Sequence, residues 1–169
     1  WGVPCQRSTV VMYYNKDLFR EAGLDPNKAP QSWKELSEAA QKLTKKDASG
    51  KVTQYGIQIP STGFAYWMLQ TLTTPNGVLL ANETGTKVTV DHPKVIEALE
   101  YWVNLTKQGV HPAGVVEWGT TPKDFFEKKA ASIVTTTGNL TNVRKNAQFD
   151  FGVGQIAGNL RKGSPTGGG

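Results

Sequence analysis

The stretch from Arg7 to Pro26 admits few ways to fold. It opens with Thr9 to Tyr14, a β-branched and aromatic run. That run is too short and too apolar for an exposed helix, so it reads as a buried strand. Asn15 supplies an N-cap oxygen, and Asp17 puts an anion in the first turn of a helix. Leu18, Phe19 and Ala22 give this short helix an apolar side. Gly23 takes the left-handed position that closes it, and Pro26 blocks its continuation. Strand, cap, helix and stop follow one another within a single segment.

The rest of the chain alternates in the same manner. Ser32-Trp33-Lys34-Glu35 is a capping box, with the serine oxygen taking one free N–H and the glutamate reaching back for another. Leu36, Ala39, Ala40 and Leu43 repeat at helical spacing, and the helix should end near Lys45-Lys46. Asp47 to Gly50 is a turn, and Tyr55 to Ile59 alternates as a strand. A helix from about Phe64 to Leu72 follows, capped by Ser61 or Thr62. Short strands are expected at Val78 to Leu80 and Lys87 to Val90. Asp91 should cap the longest helix, with Pro93 in its first turn and Val95, Ala98, Leu99, Trp102 and Leu105 on one face. Gly109 closes it. Thr121 caps another helix, with Pro122 at its first position and Phe125 and Phe126 as anchors. Ala130 to Thr136 and Phe151 to Ile156 read as strands around a helix from Asn139 to Asn146. Residues 157–169, rich in Gly, Ser and Pro, read as a mobile loop or linker. With 169 residues the chain can bury one core, and the alternation argues for a helix-rich α/β domain.

Charge and chemistry-bearing residues exclude several classes. The net charge of +5 is scattered over the chain, with no run of Lys or Arg longer than two, so it reads as a solvated surface, with anion steering as the alternative. Cys5 is the only cysteine, which allows no internal disulfide and no cysteine metal cluster. His92 and His111 stand beside prolines without metal-ligand spacing and read as surface residues. Gly152 to Gly158 imitates a dinucleotide loop, but Asn159 to Pro165 cannot form the helix it requires. No cofactor is expected. Three Asn-x-Thr triplets, at Asn82, Asn104 and Asn139, read as chance sequons.

The run Tyr13-Tyr-Asn-Lys-Asp-Leu-Phe-Arg-Glu-Ala-Gly-Leu-Asp-Pro26, continued by Ala29-Pro-Gln-Ser-Trp-Lys-Glu-Leu36, resembles family 1 extracellular solute-binding proteins. So do Lys123 to Val134, Thr137 to Arg144 and Phe151 to Gly154. These are the ligand receptors of sugar-type ABC importers, and the sequence is most similar to their glycerol 3-phosphate-binding branch. The resemblance implies an α/β lobe of the type II periplasmic-binding-protein fold, helix-rich with a small mixed sheet. Residues 1–169 would be one ligand-binding lobe, the second in chain order of a two-lobe receptor. Its partners would be a sugar or polyol phosphate, the first lobe of the same receptor and the ABC permease subunits, with no nucleic acid. Location would be periplasmic or extracytoplasmic, with any membrane association through the permease or a lipid anchor outside this segment. No catalysis is implied.

Ten residues are candidate ligand contacts. Phe64 and Trp67 lie three apart on one helix face. Met68 and Leu72 extend that face, so the pattern alone favours core packing. In the glycerol 3-phosphate relatives an aromatic pair here lines the pocket, which would turn Trp67 toward a cleft. Trp118 stands on a loop, where a scaffold-held aromatic can meet a ligand. Thr137, Gly138 and Asn139 join a strand end to a helix start and occupy the family's serine and glycine contact. Ser8 and Thr9 match its hinge-side serine, and Gly168 and Gly169 match a glycine turn that donates backbone N–H groups. The alternative class is an enzyme such as a glycoside hydrolase fragment, which needs paired carboxylates across a pocket. Glu117 and Asp124 are the only acids near a candidate site.

Overall fold

The computed structural model describes Val3 and residues 7–167. In chain order the elements are β1 (Ser8–Asn15), α1 (Lys16–Glu21), α2 (Trp33–Leu43), β2 (Lys45–Lys46), β3 (Val52–Gln54), α3 (Ala65–Thr73) and α4 (Pro93–Lys107). Then come α5 (Thr121–Phe126), β4 (Ser132–Thr136), α6 (Leu140–Asn146), β5 (Phe151–Gly154) and β6 (Thr166–Gly167). β1 is the centre of the main sheet, antiparallel to β4 and β5 on its two sides, and β6 pairs with Ser8 and Thr9. Residues 55–58 join β4 in parallel through Tyr55–Ala130 and Gln58–Ile133 bridges, so the small sheet is mixed.

Side-chain alternation along β1 makes two cores out of one strand. Val10, Met12 and Tyr14 enter the larger core with Trp33, Leu36, Ala40 and Leu43 of α2, Met68 and Leu72 of α3, and Ala98 and Leu105 of α4. Val11 and Tyr13 enter the smaller one with Phe125 of α5, Val143 of α6 and Ile133 of β4. A strand covered on both faces carries a continuous apolar run rather than an alternating one. This is why Thr9 to Tyr14 is legible as buried.

The local signals around β1 act as expected. Asn15 Oδ1 accepts from the Asp17 and Leu18 N–H groups at 2.9 and 3.1 Å, and Gly23 closes the turn at φ +69°. Asn15→Ala removes the acceptor for both donors and should cost about 1–2 kcal/mol, whereas Asn15→Ser should recover most of it. Urea midpoints at constant slope measure the difference, and an alanine variant as stable as the parent would refute the cap. In the capping box Ser32 Oγ accepts from Glu35 N–H at 3.1 Å, but Glu35 Oε2 accepts from Gln31 N–H, one residue earlier than a regular box, at 2.7 Å.

Several expectations are corrected. Helix α2 stops at Leu43 because the Thr44 hydroxyl turns back to the Ala40 carbonyl at 2.7 Å, which frees Lys45 and Lys46 to pair as β2. The strand expected at Tyr55 to Ile59 is an extended segment beside β4, and regular strand structure lies just before it in β3. Residues 78–90 make one isolated bridge, Ala81–Val88, instead of two strands. His92, not Asp91, caps α4, through Nδ1 accepting from Lys94 N–H at 3.1 Å. His111 is buried, not at the surface. Residues 157–167 are tied down rather than free. Gly158 bridges Ser32, Leu160 and Arg161 donate N–H groups to the Pro75 carbonyl, and the Ser164 hydroxyl donates to the Val10 carbonyl at 2.6 Å.

Candidate functional site

The candidate residues sit on segments far apart in sequence, and the fold gathers those it describes along one rim. Ser8 and Thr9 lie at the open end of β1, beside the 3₁₀ turn Thr137–Asn139 that follows β4. Thr9 N–H donates to Thr137 Oγ1 at 3.2 Å, and Gly138 N–H donates to Ser8 Oγ at 3.2 Å. The two hydroxyls are 3.3 Å apart. Each already accepts a backbone N–H, so one donates to the other and the remaining hydroxyl proton is left for an outside acceptor. Asn139 accepts from Asn142 Nδ2 at 3.0 Å through Oδ1, and its own buried Nδ2 has no partner among the described residues.

The aromatics continue the rim. Phe64 packs edge-on against Trp118 with centroids 5.1 Å apart, and against Trp67 at 6.1 Å. Phe64 is 42% exposed and Trp67 only 8%. Trp67 is therefore a core residue beside Met68 and Leu72, and the expectation that it turns to a cleft is corrected. Its Nε1 donates at 3.3 Å to the Pro165 carbonyl, which also accepts from Thr9 Oγ1 at 3.1 Å. Pro165 thus joins the aromatic half of the rim to the hydroxyl half. Sequence reading missed it, because Gly163-Ser-Pro165 resembles linker composition and the contacts are long-range.

Two loops hold the aromatics in place. Ser61 and Thr62, expected to cap α3, brace the neighbouring loop instead, and the cap position falls to Phe64 without a side-chain bond. Val116 N–H donates to Ser61 Oγ at 2.9 Å, and Trp118 N–H donates to Thr62 Oγ1 at 3.2 Å. Gly63, at φ +71°, lies against Trp118, and a Cβ there would fall 2.9 Å from the Trp118 Cβ. Trp118, Gly138 and Asn139 line a concavity of about 300 Å³ together with Gly119, Pro122, Thr135, Thr136 and Asn142. This lining is polar without charge. Gly119 and Pro122 carry no chemical signal of their own and were legible only as loop and helix start. Gly168 and Gly169 lie outside the described residues.

The two acids weighed for catalysis do not share a pocket. Glu117 Oε2 accepts from the Thr62 hydroxyl at 2.6 Å, and Asp124 Oδ2 accepts from Gln58 Nε2 at 3.2 Å. Asp124 lines a separate groove with Tyr55, Gln58 and Lys129. Both carboxylates brace the fold, and an acid–base pair across the concavity is not supported. Among the described residues no cluster of His, Cys, Asp and Glu could hold a metal ion. None of their helices is long and apolar enough to cross a membrane.

Comparison with known proteins gives the family and the fold. The sequence model of the family described as bacterial extracellular solute-binding protein matches residues 1–169. The sn-glycerol-3-phosphate-binding periplasmic protein UgpB of Escherichia coli K12 is 30% identical over 160 residues, 90% of this chain and 34% of the relative. UgpB from Mycobacterium tuberculosis, solved in complex with glycerophosphocholine, superposes with a TM-score of 0.82 at 27% identity, over 99% of this chain and 41% of that one. The ABC substrate-binding protein Lmo0181 from Listeria monocytogenes, solved with cycloalternan, gives 0.81 at 28% identity, over 98% and 41%. The fold is that of the periplasmic binding proteins. The chain spans about a third of the length of the curated relatives it matches, 34%.

Proposed function

This chain belongs to the bacterial extracellular solute-binding protein family, and we propose that it is one ligand-binding lobe of an ABC-importer receptor. In this reading the receptor works outside the cytoplasmic membrane, closes two lobes on a sugar or a glycerophosphodiester-like polyol, and delivers it to permease subunits. The observation that carries the reading is the single linked rim of Trp118, Phe64, Trp67, Pro165, Thr9, Thr137, Ser8 and Gly138. Phe64 and Trp118 cover the apolar face of a carbon skeleton, and Trp67 backs them from the core. Thr137, Ser8, Gly138 and Asn139 meet hydroxyl or phosphate oxygens beside the uncharged concavity. Two relatives whose structures hold glycerophosphocholine and cycloalternan support both ligand classes.

Thermal-shift screening of the full-length protein against neutral sugars and glycerophosphodiesters tests the proposal. A rise in melting temperature with one class is expected, and none with either would overturn it. Trp118→Ala should then weaken that ligand by about 2 kcal/mol, roughly 30-fold, as for a central aromatic anchor. Calorimetry on the same variant reads the loss directly.

A further inference from the structure

We infer that His111 is a positioning residue for the aromatic rim, a neutral imidazole that bolts together the roots of the two loops carrying Phe64 and Trp118. The inference rests on reading that rim as the ligand face. His111 is 4% exposed. Its Nε2 lies 3.0 Å from the Ile59 backbone nitrogen, which can only donate. Nε2 is therefore the acceptor, and the ring proton sits on Nδ1, which faces the Pro112 carbonyl at 2.8 Å. Trp102 Nε1 makes a longer second approach to Nε2 at 3.4 Å, and Thr106 Oγ1 lies 3.2 Å from Nδ1. The backbone thus dictates the tautomer on both sides of the ring.

The position of this bolt gives it consequence. Ile59 is the last residue of the segment beside β4 before Pro60 to Gly63 lead to Phe64, and His111 itself begins the run that ends in Trp118. Beyond the bolt the two loops are laced by Ser61 N–H to the Val116 carbonyl at 2.8 Å, by Val116 N–H to Ser61 Oγ, and by Trp118 N–H to Thr62 Oγ1. A proton on Nε2 would find an acceptor in the Ile59 carbonyl at 3.1 Å. It would also strip the Ile59 N–H and the Trp102 Nε1–H of theirs. The charged groups on the packed elements are Lys94, Glu97, Glu100 and Lys107 on α4, Glu117 on the outer loop, and Asp124 and Lys129, which line a groove with Tyr55, Gln58 and Pro112; among the described residues none of these hydrogen-bonds the ring. Burial holds the imidazole below its ordinary pKa, against smaller opposing effects from Ile59 and Pro112. The folded ring is neutral, while an opened loop would take up a proton near the ordinary value of about 6.5. Closure is therefore fully favoured above that pH and weakens as pH falls through it, by up to about tenfold per unit.

Amide hydrogen exchange on the full chain, corrected for its intrinsic pH dependence, tests this without any ligand. Between pH 7.5 and 5.5, protection at Ile59, Ser61, Val116 and Trp118 should fall, by at most about tenfold, while Met12 and Asn15 in β1, the latter donating its N–H to the Ala131 carbonyl at 2.9 Å, hold theirs. His111→Gln, whose amide can accept from Ile59 without titrating, should abolish the pH dependence. If that variant does not fold, the parent alone decides. A uniform loss across the chain, or none at these four amides, would overturn the inference. A rim that loosens with pH in a protein that no sugar or glycerophosphodiester stabilises would sink the proposed function and leave the positioning role standing.

Discussion

Truncating Trp67 to alanine should destabilise the chain by about 3–5 kcal/mol, the cost of emptying a core site of this size. The ring is buried with Met68, Leu72 and Ile59 in the larger core. Its hydrogen bond adds little to the loss, because the Pro165 carbonyl keeps Thr9 Oγ1 as a donor. Trp67→Phe separates the terms. It retains most of the ring, loses the N–H, and should cost nearer 1 kcal/mol, mostly for the small cavity left by the narrower ring. Urea unfolding at constant slope gives both values. In the full receptor, Trp67→Ala should weaken ligand less than Trp118→Ala does, since Trp67 acts on the rim through Phe64 and not by touch. A stability loss below about 1 kcal/mol with a large affinity loss would return Trp67 to the cleft.

The contrast between Trp67 and Phe64 marks how far a sequence can be read here. Both lie on one helical face, and pattern alone favoured the core for that face. The structure divides it, because α3 starts at Ala65 and leaves Phe64 on the bend, where the loops from 60 and 116 set its exposure. β1, its cap and the Gly23 stop were legible because each depends on neighbours within a few residues. His111 was not. Its burial is made by Ile59 and Trp102, and a histidine before proline carries no local sign of that. The 157–167 segment was misread for the same reason. Its composition is that of a linker, yet Pro75, Ser32 and Val10 supply the partners that hold it. The candidate site residues were named through resemblance, residue by residue, and not through spacing. Their hydrogen bonds join positions more than a hundred residues apart, such as Ser8 and Gly138.

Phe125→Ala should cost a similar 3–5 kcal/mol, but on the opposite face of the sheet. Phe125 is 0% exposed and meets Phe149 edge-on at 5.0 Å. Among the described residues this smaller core is built from buried Val11, Tyr13, Phe125, Ala130, Ile133 and Val143, with Phe126, Leu140, Ala147, Phe149 and Phe151 partly buried against it. A loss of this size is a large fraction of the roughly 5–15 kcal/mol that holds a domain folded. Part of it should appear in the site, since α5 carries Pro122 to the concavity and α6 follows the Thr137–Asn139 turn. Tyr13 reports on this core independently. Its hydroxyl donates to the Thr136 carbonyl at 3.0 Å, and burial pushes its pKa to about 12. A cavity that admits water should bring that value back toward 10. Because the sheet separates Phe125 from Trp67, the milder pair Phe125→Leu and Trp67→Phe should add to within about 0.5 kcal/mol. A double-mutant coupling well above 1 kcal/mol would mean that β1 transmits strain between the two cores. The rim at its open end would then depend on packing behind the sheet as much as on the loops in front of it.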